Sequence, residues 1–240
     1  MKMLFTRKGE SFFYKGDDIH TKYGCIKKEA IESTSPGDAV MTGTGKEMMV
    51  SAAGFPDHFR KLRRNAQIII AKDMGAIVAE TGLNSKSVVL DSGSGSGGST
   101  CFLAHIVKKV YSYEIRPDFI ETVKKNIAFL GLKNVVLKNR DIYDGISEKN
   151  LDAVILDLPE PWRAVPHAVA ALKHGGYLVS YSPNITQAKR MVEAVLDTDE
   201  LLYKRTIEII EREWEIDRLR ARPKFQMLGH TGFLSFSRKY

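Results

Sequence analysis

Cysteine is nearly absent from this chain, present only as Cys25 and Cys101 in 240 residues. Two thiols cannot staple a disulfide framework, and neither has metal-ligand spacing around it, so no metal centre is expected. Long apolar runs are missing too: nothing approaches the ~18 residues that a membrane span requires. Met1–Gly9 alternates charge and apolarity instead of building a signal-peptide core, so the expectation is a soluble cytoplasmic protein. There are no internal repeats or low-complexity tracts. No glycine-rich stretch ends in Gly-Lys-Ser or Gly-Lys-Thr, which removes the Walker phosphate loop. Acidic residues are in deficit, 29 against 36 Lys and Arg, and the formal charge of +7 favours a polyanionic partner such as nucleic acid.

What is present suits one large domain with a small appendage. Residues 1–59 hold short β-prone runs, Met3–Phe5, Ser11–Tyr14 and Ala39–Met41, parted by turn clusters such as Lys15-Gly16-Asp17-Asp18. That pattern predicts a small β-rich N-terminal domain. It carries no catalytic constellation, so its expected role is structural or substrate-docking. After Phe55-Pro56-Asp57, a catalytic domain is expected over 60–240. It opens on Arg60-Lys61-Leu62-Arg63-Arg64, either a solvated face or a phosphate-contacting one.

The most informative stretch is Val88–Thr100, Val-Val-Leu-Asp-Ser-Gly-Ser-Gly-Ser-Gly-Gly-Ser-Thr. A short apolar strand, a carboxylate and a glycine-rich turn into a helix make a place where ligand meets bare backbone. Strands follow at Val110–Ile115, Val135–Leu137, Ala153–Leu156 and Tyr177–Tyr181, alternating with helices over 117–130, 164–173 and 185–197. Two long β segments, Tyr203–Trp214 and Gly232–Phe236, finish the chain. Alternation with short connections predicts a doubly wound, mostly parallel sheet, and the final pair implies one antiparallel strand near its edge. Carboxylates recur at successive strand ends: Asp91, Glu114, Asp141 and Asp157. Glu114, 23 positions after Asp91, suits a ribose diol. An acid at the end of the first strand fits a ligand bearing an ammonium and a sulfonium better than one bearing a pyrophosphate. S-adenosylmethionine is therefore favoured over a dinucleotide.

Several motifs stand in a telling order: Gln67-Ile68-Ile69, Leu90–Gly97, Tyr113-Glu114-Ile115-Arg116, Asp157-Leu158-Pro159-Glu160-Pro161-Trp162, Ser180–Gln187, Glu211-Arg212-Glu213-Trp214, Arg222-Pro223 and Gly229–Leu234. Together they resemble the class I S-adenosylmethionine-dependent tRNA (adenine-58-N1)-methyltransferases in their prokaryotic, homo-oligomeric form. The likeness runs from about Phe59 to the C-terminus and is looser before it. It implies a Rossmann-like, mostly parallel seven-stranded sheet with one antiparallel strand, a homotetramer, and a T-loop adenosine of tRNA as target, at position 58, with the neighbouring position 57 left open. It also implies cofactor contacts at Gln67, Asp91, Gly93, Ser94, Gly95, Ser96, Gly97 and Gly98, ribose at Glu114, adenine at Asp141, and the reacting base at Asp157. The chain departs from the family at Ile70-Ala71, where an aromatic or His followed by Pro is usual and bears on the grip of the target adenine. Asp91 replaces the usual Glu.

At Asp157 a buried strand stops, so the carboxylate is expected over the sheet edge, with Pro159 and Pro161 keeping the following segment extended. There it would accept from an adenine amine and offset the positive charge that builds on the base during methyl transfer. RNA contacts are expected from Arg60, Lys61, Arg63 and Arg64 and from Arg220 and Arg222 in the cluster Arg218–Lys224. Tyr181 and Asn184 would line the base pocket. Trp162 packs or stacks, Glu160 is a candidate solvated acid, and a lone His such as His230 in a turn is usually structural. The alternatives are a protein isoaspartyl carboxylate or adenine N6 as acceptor, or a non-catalytic RNA-binding subunit. Against them stand the charge, the intact glycine loop, and Leu158 and Glu160, which break the Asn/Asp-Pro-Pro-aromatic pattern of N6 enzymes.

Overall fold

The β-prone runs near the N-terminus become short strands. The computed structural model describes residues 1–240, and their contacts divide them into two units, Met1–Lys61 and Leu62–Tyr240. In the first, β1 (Lys2–Phe5), β2 (Ser11–Phe13), β5 (Ala39–Met41) and β6 (Glu47–Ala52) form an antiparallel sheet in the order β2-β1-β6-β5. A hairpin of β3 (Ile19–Thr21) and β4 (Gly24–Ile26), with helices α1 (Lys28–Ser33) and α2 (Phe55–Phe59), completes it. Leu4, Ile26, Ile31, Met48 and Val50 are its buried centre. The division falls two residues after the boundary expected from composition. Leu62 is buried and goes with the second unit, which splits the cationic run: Arg60 and Lys61 end the first unit, Arg63 and Arg64 open the second.

The second unit holds α3 (Ala71–Thr81), β7 (Val88–Ser92), α4 (Gly98–Ala104), β8 (Lys109–Glu114), α5 (Pro117–Leu130), β9 (Val135–Asn139), β10 (Leu151–Leu156), α6 (Val165–Ala171), β11 (Leu172–Ser182), α7 (Ile185–Leu196), β12 (Leu201–Glu208), β13 (Trp214–Ile216), β14 (Ala221–Pro223) and β15 (Phe233–Lys239). Seven strands form one sheet in the order β12-β15-β11-β10-β7-β8-β9. β15 alone runs antiparallel, between β11 and β12. The antiparallel strand is therefore next to the edge, and β12 is the edge itself.

Both faces of this sheet are covered, which is why its central strands read as unbroken apolar runs. Leu90, Val154, Leu156 and Leu178 pack with Val165, Val169, Met191 and Val195 from α6 and α7. Their neighbours Val89, Ala153, Ile155 and Val179 pack the other way, with Met74, Ile77 and Leu103 from α3 and α4. Burying each such Leu, Ile or Val contributes about 1.5–3 kcal/mol, so the strands that carry the carboxylates at their ends are the buried centre of this unit.

One expectation fails. The long strand expected over Tyr203–Trp214 stops at Glu208, and the Arg-rich stretch beyond it becomes the separate hairpin β13–β14. Charges at Glu211, Arg212 and Glu213 break the alternation that one half-buried strand needs. No helix is long and apolar enough to cross a membrane.

Candidate active site

All parallel strands of the sheet end on the same side, and there the second unit opens a cavity of about 550 Å³. Gly93 and Gly95 from the loop after β7, Glu114 at the end of β8, Asp141 beyond β9, Asp157 beyond β10 and Tyr181 near the end of β11 line it, with Gln67 before α3. This is the crevice where open α/β sheets bind ligands. Residues as far apart in the chain as Ala66 and Thr231 meet in it, because the strands deliver their ends and the loops beyond them to one edge.

The glycine loop is shaped by one close approach. Gly93 has φ +82°, and a Cβ there would lie inside the van der Waals radius of the Asp157 main-chain oxygen. The loop and the segment after β10 therefore pass backbone to backbone. The Asp157 N–H donates to Ser92 O at 2.9 Å, fastening the same junction.

Glu114 holds the loop from the other side. Its Oε2 accepts from the Gly95 N–H at 2.8 Å, and its Oε1 from the N–H groups of Ile115 and Arg116 at 2.9 and 3.0 Å. A carboxylate has about four acceptor positions, so one on Oε2 is left for a hydroxyl in the cavity. Asp141 uses Oδ1 to accept from the Tyr143 N–H at 2.9 Å, leaving Oδ2. Asp157 accepts no hydrogen bond from the chain. Burial, with the charge of Asp91 adding to it, pushes its carboxyl up to about 7. Tyr181 donates its hydroxyl to Thr231 O. Burial, then the charges of Asp73 and Asp157, pushes that phenol up to about 12, so it remains a donor.

Other residues singled out in the sequence lie beneath the cavity. Asp91 does not line it: it is fully buried, its Oδ2 accepting from Ser99 Oγ at 2.8 Å and from Thr100 Oγ1, with Oδ1 unpartnered. Burial, opposed by those hydroxyls, raises its carboxyl to about 6. Asp91 thus anchors the start of α4 instead of reaching a ligand, because the strand's alternation turns its side chain under the loop. Ser94 bonds Ser112 Oγ at 2.5 Å and donates to Tyr113 O at 3.0 Å. Ser96 Oγ accepts from the N–H groups of Asn65 and Ala66 at 2.9 and 2.8 Å. Gly97 caps α4 and Gly98 begins it. These four shape the loop from behind.

Residues 58–221 match the family described as tRNA methyltransferase complex GCD14 subunit. The chain is 35% identical to the tRNA (adenine(58)-N(1))-methyltransferase TrmI of Thermus thermophilus, over 99% of this chain and 96% of the relative. This chain belongs to that family. A further relative, the tRNA (adenine(57)-N(1)/adenine(58)-N(1))-methyltransferase TrmI of Methanocaldococcus jannaschii, is 31% identical over 99% of this chain and 94% of its own length. Among solved structures, a protein of Thermotoga maritima described as an S-adenosylmethionine-dependent O-methyltransferase superposes with a TM-score of 0.91 and 28% identity, covering 99% of this chain and 92% of that one. The fold is that of the class I methyltransferases, and S-adenosylmethionine is the methyl donor. The cavity fits it: bare backbone at Gly93 and Gly95, an open acceptor on Glu114 for a diol, and no phosphate-binding lysine at the loop.

The remaining candidates lie outside the cavity. Asn184 is not a cavity wall. It caps α7, its Oδ1 accepting from the Gln187 N–H at 2.9 Å and Thr186 Oγ1 at 2.7 Å. Arg220 and Arg222 are already matched by acids, Arg220 with Glu215 at 2.8 Å and Asp217 at 2.7 Å, Arg222 with Glu215 at 2.9 Å. Trp162 lies under the Arg190 guanidinium at 3.9 Å, a packing role. Glu160 pairs with Arg163 at 3.0 Å, and His230 contacts Glu208 at 2.5 Å and Pro183 O at 2.8 Å. Sequence reasoning missed Tyr143, Phe119 and Thr231 as cavity walls. Tyr143 was within reach, two residues after Asp141. Thr231 was not, because only the return of β15 beside β11 brings it there.

Glu114→Gln replaces an all-acceptor group by one that turns an NH₂ toward backbone donors. S-adenosylmethionine affinity is expected to fall at least about tenfold, measured by calorimetric titration. Unchanged affinity would remove Glu114 from the site.

Proposed function

We propose that this protein transfers a methyl group from S-adenosylmethionine to N1 of adenine 58 in the T-loop of tRNA, in the cytoplasm. The observation that carries the reading is Asp157: a partly buried carboxylate without partners, held near neutrality, on the cavity edge of a chain belonging to a tRNA methyltransferase family. S-adenosylmethionine supplies an electrophilic methyl on a sulfonium that leaves as a neutral thioether. Glu114 Oε2 accepts from one ribose hydroxyl, Asp141 Oδ2 from the adenine amine of the donor, and the backbone at Gly93 and Gly95 takes the amino-acid portion. Asp157 accepts from N6 of the target base as its N1 lone pair forms the new bond, offsets the positive charge that grows on the ring, and can keep the N6 proton. The ring of Tyr181 is a wall of the base pocket. In-line positioning supplies most of the remaining rate.

The base must leave its stack to be reached, so the RNA is gripped outside the cavity. Arg63 and Arg64 are exposed and form no ion pair. The Arg63 main chain is fixed, its N–H donating to Asn126 Oδ1 and its carbonyl accepting from Asn126 Nδ2, each at 2.9 Å. These cations stand just before Ala66, which lines the cavity. Arg60 and Lys61 are likewise exposed and add to the phosphate contacts. Arg63→Gln with Arg64→Gln is expected to weaken tRNA binding about tenfold and to lower the slope of log K against log salt by about 1–2. Arg220→Gln, already neutralised, gives the smaller loss in the same filter-binding series. Equal losses would put the phosphate contacts elsewhere.

Exposed Ile210, Trp214, Ile216, Leu219, Phe225 and Leu228 leave an apolar surface around β13–β14, which supports a homotetramer, checked by light scattering. The deciding experiment is incubation with labelled S-adenosylmethionine and unmodified tRNA, then nucleoside analysis. 1-Methyladenosine is expected, and primer-extension arrest on the same tRNA places it at position 58 or 57. N6-methyladenosine, or no label in RNA, would overturn the reading.

A further inference from the structure

Gln187 stands in the first turn of α7 and does not itself line the cavity. Its side-chain amide donates to two successive carbonyls of the neighbouring strand-end segment, Leu158 O at 2.8 Å and Pro159 O at 2.7 Å. These are the first two carbonyls after Asp157. The amide has one tenable orientation, since a flip would set its own oxygen against both carbonyls. In the observed orientation Oε1 is buried and has no partner. The two N–H donors alone hold the rotamer.

The segment needs an outside clamp. Pro159 has no N–H, and residues 158–160 belong to no strand or helix before the short 3-10 turn Pro161–Ala164 begins. Asp157 N–H to Ser92 O at 2.9 Å ties the segment at its start, and Glu160 N–H to Tyr143 OH at 3.2 Å ties it further on. Gln187 holds the two carbonyls between. The Asp157 carboxylate accepts no hydrogen bond from the chain, so its direction is set only by the backbone beneath it. Gln187 is fixed in turn, because its N–H is the one capped by Asn184 Oδ1.

We propose that Gln187 is a positioning residue for methyl transfer: by clamping the carbonyls of Leu158 and Pro159 it aims the Asp157 carboxylate at the target base and limits the water that reaches it. This rests on the reading of Asp157 as the group that meets the base. The charged and titratable groups felt by Asp157 and its near neighbours are Asp91 from β7, Glu114 from β8, Tyr181 from β11 and Asp73 from α3. None contacts Gln187, so a change in Asp157 on altering Gln187 passes through the clamp.

Gln187→Met keeps the side-chain length and removes both donors. In the full-length enzyme with S-adenosylmethionine and tRNA, kcat is expected to fall about 10–100-fold, with KM for tRNA and Kd for S-adenosylmethionine within about twofold. The acidic limb of kcat moves to lower pH as water reaches Asp157. Gln187→Lys, whose ammonium can reach both carbonyls, recovers most of the lost kcat. Carboxyl-carbon NMR titration of Asp157 in the protein without RNA reads the same effect directly, moving toward the ordinary carboxylate range in Gln187→Met. An unmoved titration overturns the proposal. So does a kcat loss matched by equal losses in Tm and S-adenosylmethionine affinity, which would mark a merely structural residue. Should the wild-type enzyme methylate another atom or base, the functional reading falls, while the NMR titration still decides whether Gln187 sets Asp157.

Discussion

Asp157→Asn is expected to lose at least about 10³-fold in kcat, because the group that offsets developing charge and accepts the N6 proton is gone. S-adenosylmethionine binding stays within a few-fold. The same variant, free of cofactor, is expected to be more stable than the wild type at pH 8. The sign follows from the raised carboxyl. Its ordinary value is 3.8 and burial lifts it to about 7 in the folded protein, so between those values the folded state holds a proton that the unfolded chain releases. Stability therefore falls as pH rises from about 4 to 7, and the full cost is present above 7. Asn has no charge to bury. With allowance for water entering an open cavity, its gain at pH 8 is on the order of 2 kcal/mol, vanishing below pH 4. Denaturant titrations at pH 4 and pH 8 with a single-turnover assay check both halves. A variant that keeps its turnover, or is no more stable at pH 8, would mean that the carboxylate is not the stressed group.

Gly93→Ala is expected to cost about 3–5 kcal/mol and to abolish S-adenosylmethionine binding. Two effects add. Alanine at φ +82° pays for a left-handed backbone, about 1 kcal/mol. The larger part is steric, since the new methyl has to displace the Asp157 carbonyl, which is main chain and cannot rotate away. Gly82→Ala separates the terms. Gly82 ends α3 at φ +66° with open space where a Cβ would go, so that variant pays the backbone cost alone. Scanning calorimetry should show Gly93→Ala melting about 6–20 °C below the wild type and Gly82→Ala only a few degrees below. Equal shifts would mean that the loop and the Asp157 segment are not in close approach.

Much of the fold was legible because the parallel strands are buried on both faces. Val88–Leu90 and Ala153–Leu156 could be read as strands with carboxylates at their ends, and the antiparallel strand near the edge followed from two β segments without a helix between. The hairpin β13–β14 was not legible. Its strands are three residues each and none of those residues is buried, and periodicity speaks only where one face is buried. Glu114, Asp141 and Asp157 were found by position and do line the cavity. Asp91 looked equivalent to them and is not, because a strand's final residues alternate faces, and only the pairing of β7 with β8 and β10 decides which of Asp91 and Ser92 points up. Asn184 failed for a similar reason: an Asn before a helix can cap it or face a ligand, and here the cap takes the side chain. Arg220 and Arg222 read as free charge, but the hairpin register sets them against Glu215 and Asp217.

The amino-acid sequence by itself determined the sheet, the glycine turn and the kind of ligand, since strand periodicity, turn chemistry and strand-end carboxylates are local. Tertiary structure alone decided which carboxylate is left without a partner, which cations are free, and that Gln187 reaches back to the segment carrying Asp157. Those outcomes depend on the desolvation and pairing of groups far apart in the chain, which exist only once the strands have delivered their ends to one edge.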